Sequence, residues 1–388
     1  MQLFVAAVLG GAIAALVSAC FIWTVERGTE LVWVDLPERL DLAPFDSWWL
    51  VAVPVAGGVL VGLGQRFVGD LPMPITEVVD RFRHGDGVEP SLVPGAFAIA
   101  VAALVAGGAL GFEAALSCIV GGLATGIARR LGNGGEQVRA AWGLGASSPI
   151  PDRLRTVAGW VAALSGVFTF VWLPFGRIDL GFRLDDAAAA RDPANGLLLV
   201  LYGLVAAVPL AWSFAVIVRA EHAALHERRP VLVGALGGLV LAALGSVDAL
   251  VLFSGQEGIA SLGDLSTGTP IYVAVAKWAA LAVLMLAGWR GGPIFPLWLS
   301  AAAVAVLVLE PLGVPPEIAI VGGIAAVSTV FLRGRILPAV VLSLYAVPAS
   351  YAGAMLLAAA GAAMAVLVAG ELGWMPRRPS GRPGETAA

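Results

Sequence analysis

Charge is scarce in this sequence, and its scarcity excludes several classes of protein. Only 13% of the 388 residues are Asp, Glu, Lys or Arg, whereas 59% are hydrophobic and the mean hydropathy is +0.90. The net charge is −4 and no basic stripe is present, which argues against nucleic-acid binding. The composition lies far from that of soluble domains and indicates an integral membrane protein.

Cysteine and histidine are also rare. Cys20 and Cys118, the two cysteines, lie in apolar stretches, which excludes a disulfide framework and a cysteine metal site. His222 and His226 are four residues apart, as on one face of a helix, but a zinc site needs further ligands, and the charged neighbours indicate a solvated loop. Because no nucleophile and base stand together in the apolar segments, we expect no enzyme and no bound cofactor.

Apolar segments follow one another along the chain, and several are close to the roughly 20 residues that cross a bilayer. We predict one all-α, polytopic membrane domain over residues 1–370, followed by a polar cytoplasmic tail at 371–388. Two of the segments are short and begin at glycine-rich breaks. The segments fall near 3–24, 48–68, 92–110, 113–128, 156–175, 196–218, 231–253, 270–289, 293–309, 317–332 and 336–369.

Glu113 is the single charged residue between Glu89 and Arg129. A carboxylate at the centre of a membrane span costs about 2.5–3.5 kcal/mol on insertion scales. That cost is usually offset by a water-filled path, a cation or a helix N-terminus whose unpaired N–H groups face the acid. Glycines before Glu113 and small residues after it favour a backbone break followed by a new helix. We therefore predict that Glu113 starts a helix inside the membrane, where anions bind.

The two halves of the chain have a similar layout. In the first half, PMPITE at 72–77 precedes the break at 111–113 by about 36 residues; in the second, SGQEG at 254–258 precedes the break at 291–293 by about 34. We predict two inverted-topology repeats, about 48–175 and about 231–369, whose broken helices meet near the bilayer midplane. The positive ends of the helix dipoles would then point at one small volume.

Charged and aromatic residues near the segment ends suggest an orientation. The acidic stretch at 25–46 is predicted to be an outside loop, whereas the arginine-rich segment at 219–229 and the tail are predicted to be cytoplasmic. Trp289 and Trp298 are expected to be interfacial anchors. Lys277 lies inside an apolar span, and three interpretations of it stay open. Its side chain could extend to the membrane interface, it could lie at a helix start, or it could add positive potential to the pore.

Both breaks resemble motifs of the ClC chloride channel and transporter family. GFEAA at 111–115 resembles the family's Gly-Lys/Arg-Glu-Gly-Pro motif, and RGGPIFP at 290–296 resembles its Gly-Gly-Ile-Phe-Ala-Pro motif. PMPIT at 72–76 aligns with the Gly-Ser-Gly-Ile-Pro motif. The resemblance extends over about residues 50–365, with the order and spacing kept and the individual motifs degenerate.

The resemblance implies a homodimer in a bacterial cell membrane, in which each subunit moves chloride or another small inorganic anion, with or without proton exchange. It implies that Glu113 is the gate, because its carboxylate occupies an anion site until it is protonated or swings away. The implied anion-binding residues are Gly111, Phe112, Met73, Gly291, Gly292, Ile294 and Phe295.

The sequence also departs from the family pattern. Met73 stands at the family's serine, and a thioether cannot donate a hydrogen bond. Pro293 replaces an isoleucine whose N–H binds the anion, and proline has no N–H. No counterpart is found for the family's final tyrosine. Nor is one found for its inner proton-coupling glutamate, which is expected after WGLG at 142–145.

Three functions therefore stay open: transport of small inorganic anions, with chloride as the favoured ion; fluoride-selective transport; and a non-conducting scaffold. Methionine at the serine position also occurs in fluoride-transporting ClC relatives. A channel and a proton-coupled exchanger both suit Glu113, and the missing inner glutamate favours uncoupled flux.

Overall fold

In the computed structural model, the part of the chain that is described is helical. The described residues are 2–84, 87–130, 192–223, 225–256, 258–259, 261–262, 269–344 and 347–374. The span predicted at 156–175, the WGLG segment and most of the predicted tail lie outside these ranges. Within them, the predicted all-α class is confirmed.

Thirteen α-helices are present among the described residues. They are α1 Gln2–Glu30, α2 Leu36–Arg39, α3 Trp49–Phe67, α4 Ile75–His84, α5 Val93–Val105, α6 Glu113–Arg130, α7 Pro193–Glu221, α8 Pro230–Gly245, α9 Thr269–Leu286, α10 Ile294–Leu309, α11 Pro316–Phe331, α12 Ile336–Ser343 and α13 Ala352–Glu371. Within the described ranges, six helical stretches are long and apolar enough to cross a membrane, at Ala7–Arg39, Trp49–Phe67, Pro193–Glu221, Thr269–Leu286, Ile294–Leu312 and Ala352–Glu371.

Two boundaries differ from the prediction. The acidic stretch at 25–46 is helical as far as Arg39, through α1, a π-helical turn at Leu31–Asp35 and α2. Its first proline, Pro37, lies in the first turn of α2, where proline is tolerated. The apolar stretch at 336–369 is two helices, because Pro348 disfavours helix at the residue before it and a 3-10 turn precedes α13.

The described helices belong to two compact units. The first comprises Met1–Asp179, Ala223–Gly255 and Ala279–Pro296. In this unit α3 and α8 run antiparallel with their backbones in close contact, as small residues at this spacing allow. A Cβ added to the glycines between them would overlap the facing backbone; the contacts pair Gly58 with Gly234, Gly62 with Pro230 and Val231, and Gly238 with Pro54.

The second unit comprises Leu180–His222, Gln256–Trp278 and Leu297–Ala388. Glycines again set the helix approach, with Gly203 of α7 against the backbone of Ala358 in α13. Some buried polar groups here are paired within the unit. Trp298 is fully buried and donates from Nε1 to the Ser328 hydroxyl at 3.0 Å, so the prediction that it anchors at the interface is wrong.

Candidate functional site

Two helix breaks in the first unit have the same length and the same backbone pattern. The first break, residues 106–112, joins α5 to α6, and the second break, residues 287–293, joins α9 to α10. The second residue of each is a glycine with positive φ, +86° at Gly107 and +81° at Gly288. L-residues with a Cβ rarely adopt this conformation, so glycine is required to end both helices in this way.

The two breaks are joined to each other by their backbones. Gly111 and Gly292 form an isolated antiparallel bridge, in which each N–H donates to the other's carbonyl with N···O distances of 2.6 Å. Gly111 is the sixth residue of the first break and Gly292 the sixth of the second, so equivalent positions pair. This exchange is what two similar loops around a local twofold axis would form, and it fits the predicted inverted repeat.

Glu113 starts α6, as the sequence predicted, and its carboxylate lies against the start of α10. The backbone N–H of Phe295 donates to Glu113 Oε1 at 3.1 Å, and the amides of Ile294 and of Glu113 itself also face the carboxylate. Oε2 is buried and has no hydrogen-bond partner among the described residues. The acid is therefore bound by neutral amides, as an anion at a helix N-terminus would be.

Glycine at both bridge positions makes room for this carboxylate. A Cβ added at Gly111 or at Gly292 would overlap the carboxylate of Glu113. The N–H groups of both glycines are already used in the bridge, so in this conformation these residues shape the site and do not donate to an anion. Gly291 lies beside Leu110, where a Cβ would approach the Leu110 Cβ to 2.6 Å.

Aromatic rings close the site on one side. The rings of Phe112 and Phe295 are both buried, with centroids 4.7 Å apart and planes tilted by 42°. Phe295 thus supplies both a donor and an apolar wall, whereas Pro293, with no N–H, precedes the start of α10. The structure brings together six of the predicted site residues around Glu113: Gly111, Phe112, Gly291, Gly292, Ile294 and Phe295.

Met73 lies next to α6. Its side chain is buried, two residues before α4 begins, and its backbone faces Cys118, five residues after Glu113. The described contacts of Glu113 are made by the two breaks and the start of α10. A direct role of Met73 in anion binding stays a prediction.

Two further side chains lie where the sequence did not place them. Lys277 is fully buried in the middle of α9, which excludes the interface and the helix-start positions; its predicted effect on the pore stays a prediction. Trp289 is also fully buried, and its Nε1 donates to the Gly234 carbonyl at 3.0 Å. The prediction that Trp289 is an interfacial anchor is therefore wrong, because its N–H finds a partner inside the protein.

A polar cluster that the sequence analysis missed fastens the second break. The cluster, called the Asp70 cluster below, consists of Gln65, Asp70, His226 and Arg290. Arg290 is 5% exposed and donates from Nε to Asp70 Oδ1 at 2.7 Å and from Nη2 to Oδ2 at 2.5 Å. His226 Nε2 lies 3.7 Å from Asp70 Oδ1, and the Gln65 side-chain amide donates to the Gly288 carbonyl.

Electrostatics hold Asp70 in its charged form. Partial burial raises the pKa of its carboxyl, but the His226 ring 3.7 Å away, together with the hydrogen bonds and the charge of Arg290, outweighs burial and holds that pKa well below its usual range. The cluster links the segment just before Met73 to the second break, two residues before Gly292.

The Asp70 cluster was missed because its members are far apart in sequence; Asp70 and Arg290 are separated by 220 residues. One signal was available: Arg290 follows an apolar span directly, and arginine is seldom fully buried without a partner. His226 was predicted to be solvated, and this is wrong, since it is 5% exposed. Nor does it share a helix with His222, because α7 ends at Glu221.

Comparison with solved structures decides the fold. A slow cyanobacterial Cl⁻/H⁺ antiporter matches with a TM-score of 0.71 over 97% of this chain and 96% of that protein, at 17% identity. A CLC-type fluoride/proton antiporter matches with a TM-score of 0.67 over 93% of this chain and 94% of that protein, at 15% identity. This chain has the CLC fold. A eukaryotic CLC transporter shares the fold at a TM-score of 0.63, over 95% of this chain and 72% of its own.

Sequence relatives are found among bacterial proteins. No model of a protein family matches the chain. YfeO of Escherichia coli (strain SMS-3-5), described as a candidate ion-transport protein, is 28% identical over 335 residues, 78% of each chain. YfeO of Escherichia fergusonii is 27% identical over 349 residues, 79% of this chain and 81% of its own. With the CLC fold and six candidate spans, the chain is an integral, multi-pass membrane protein.

Proposed function

We propose that this protein moves small inorganic anions across the membrane, and that Glu113 is the gate. The observation that supports the gate is the hydrogen bond from the Phe295 N–H to the Glu113 carboxylate, at the start of α10. A carboxylate is itself an anion, so it competes with a permeant ion for the same donors. When it is protonated, the charge that those donors stabilise is lost and the site becomes available.

The relatives support the same class of substrate. The structures that share the CLC fold include antiporters of chloride and of fluoride with protons, and the YfeO relatives are described as candidate ion-transport proteins. We propose chloride first. Fluoride is the second candidate, because Met73 replaces the family's hydroxyl and leaves the site with fewer donors. The homodimer, proton exchange and the repeat boundaries stay predictions.

Anion efflux from proteoliposomes tests the gate. Vesicles loaded with chloride or with fluoride are compared at about pH 4.5 and about pH 7.5, for the wild type and Glu113→Ala. We expect wild-type flux to be several-fold faster at the lower pH, because protonation releases the carboxylate from the amides. Glu113→Ala should remove that dependence on pH. The ratio of the two fluxes then ranks the ions.

Glu317→Ala is a matched control. Glu317 is an exposed acid in the first turn of α11, as Glu113 is in the first turn of α6. Its removal should leave both the flux and its pH dependence unchanged. If neither chloride nor fluoride left the vesicles, with well-folded wild type and with well-folded Glu113→Ala, transport would be excluded and a non-conducting scaffold favoured. Flux that keeps its pH dependence in Glu113→Ala would refute only the gate.

A further inference from the structure

A polar cavity of about 700 Å³ lies in the first unit, where α3 ends and α8 begins. Its volume is within the range of small-ligand sites, roughly 300–1,000 Å³. One wall is the Asp70 cluster, through Gln65, Asp70 and His226. The full lining is Gln65, Arg66, Asp70, His226, Glu227, Arg228, Arg229, Pro230, Val231 and Leu232.

The cavity lies at one end of a candidate membrane span, where lipid headgroups are expected. Because α3 and α8 are antiparallel, the last turn of α3 lies beside the first turn of α8. The candidate span Trp49–Phe67 ends here, so the cavity is at the end of a membrane helix. Apolar side chains beside it are exposed, with Phe67 at 77% and Leu232 at 50%, as expected for residues that contact lipid.

The cavity has an excess of positive charge. Arg66, Arg228 and Arg229 are exposed and form no ion pair with the described residues; Arg66 lies over the Phe67 ring. Asp70 is already paired with Arg290, which leaves Glu227 as the acid that offsets the three arginines. The first turn of α8 adds the unpaired N–H groups of Val231 and Leu232, which line the cavity beside Pro230.

We propose that this cavity binds the phosphate group of an anionic phospholipid. Guanidinium groups bind phosphate oxygens through paired N–H donors, which makes arginine better suited than a point charge to this task. The exposed Phe67 and Leu232 beside the cavity would contact the acyl chains, and this favours a lipid over a soluble phosphate ester. The binding surface is separate from the Glu113 site and does not depend on transport.

A ligand bound in the cavity would also affect the anion site. Asp70 and His226 line the cavity and belong to the cluster that holds Arg290, two residues before Gly292. A phosphate there would compete with Asp70 for His226 and would alter how the second break is held. This regulatory consequence rests on the proposed transport function, whereas the binding itself does not.

Native mass spectrometry of the detergent-solubilised protein tests the binding. The wild type should retain phosphatidylglycerol over phosphatidylcholine, and Arg228→Gln with Arg229→Gln should weaken that retention about tenfold. Arg39→Gln is the matched control, because Arg39 is an exposed arginine at the end of another membrane helix and does not line the cavity. Arg228→Lys with Arg229→Lys keeps the charge and should bind at an intermediate level.

Competition on the unmodified protein gives an answer even if the variants fold poorly. Inorganic phosphate at millimolar concentration should displace the lipid only weakly, because it lacks acyl chains. Equal retention of phosphatidylglycerol by the wild type and the double glutamine variant would overturn the proposal. If the protein bound inorganic phosphate but showed no preference for phosphatidylglycerol, the proposal of a lipid ligand would be wrong. The cavity would then be a site for a soluble phosphate.

Discussion

The two helix breaks share a length and a backbone bridge, yet they are fastened in opposite ways. The first break is held by an aromatic residue and by backbone. Trp33 packs against Gly107 and donates from Nε1 to the Val105 carbonyl at 2.8 Å, and the Phe253 N–H donates to the Gly107 carbonyl at 2.8 Å. The described contacts around this break contain no ion pair.

The second break is held by polar side chains. Gln65 donates to the Gly288 carbonyl, which is the counterpart of the Gly107 carbonyl in the first break. Arg290 is tied to Asp70 by two hydrogen bonds, and the His226 ring lies where a Cβ on Gly288 would be. The same backbone conformation is therefore reached with neutral partners on one side and charged partners on the other.

The two charged groups at the breaks, Arg290 and Glu113, have different kinds of partner. Arg290 has an opposite charge as its partner; removing one member of a fully buried pair costs about 3–5 kcal/mol, and the 49% exposure of the Asp70 side chain makes the cost smaller here. Glu113 has no cation among the described residues and is held by amides; a hydrogen bond to a charged group is worth about 1.5–3 kcal/mol. The carboxylate at the first break therefore has no opposite charge among the described residues to hold it in place, which supports the proposed gate.

The largest effect is expected from a methyl group at the bridge. Gly292→Ala should destabilise the protein by several kcal/mol or displace the Glu113 carboxylate, because the new Cβ overlaps that carboxylate and approaches the Glu113 Cβ to 3.0 Å. Glu113→Ala in the same chain removes the overlapping atoms and should recover most of the thermal stability. Unfolding in detergent, followed by tryptophan fluorescence, measures both.

Gly291→Ala is the control for this rescue. Its Cβ would meet Leu110 and the Gly111 carbonyl, at 2.6 and 3.0 Å, and neither contact involves Glu113. Glu113→Ala should therefore not restore Gly291→Ala. Equal recovery of both glycine variants would show that the carboxylate does not occupy the space next to Gly292.

A smaller effect is expected when the ion pair of the second break is lost. Asp70→Asn should lower the free energy of unfolding by roughly 2 kcal/mol, less than for a fully buried pair because the Asp70 side chain is 49% exposed. Asp46→Asn, at an exposed position, is the matched control and should have almost no effect. Thermal unfolding in detergent again gives the comparison.

The dependence of this effect on pH has a fixed sign. The pKa of Asp70 is held below its unfolded value of about 3.9, so its stabilisation is complete above that value and is lost as the pH falls further. The stability difference between wild type and Asp70→Asn should be constant from about pH 8 to about pH 5 and shrink below about pH 4. A difference that grew on acidification would contradict the pairing.

The sequence predicted one break in more detail than the other. At the first break, a lone acid among glycines in an apolar run was enough to place Glu113 at a helix start, because an uncompensated charge in a membrane has few stable positions. The helix starts and their order followed from hydrophobic length. The bridge between Gly111 and Gly292 could not be predicted, since it depends on the approach of two segments about 180 residues apart.

The side chains that hold the second break could not be predicted from the sequence for a related reason. Asp70 and His226 lie in connections between helices, where polar residues are normally solvated, and nothing local marks them as buried or paired. The tryptophans illustrate the same limit: a Trp near a segment end is compatible with an interfacial and a buried position, and a tertiary hydrogen bond decides between them.

The smallest expected effect is a coupling energy, and it tests whether the two breaks are fastened independently. Trp33→Phe and Gln65→Leu each remove one side-chain donor from a carbonyl, at the first and the second break respectively. Their effects on the free energy of unfolding should add within about 0.5 kcal/mol. Gln65→Leu and Asp70→Asn should instead deviate from additivity by about 0.5–1 kcal/mol, because both belong to the Asp70 cluster. Stronger coupling between Trp33 and Gln65 than between Gln65 and Asp70 would mean that the bridge, and not the local side chains, determines how firmly each break is held.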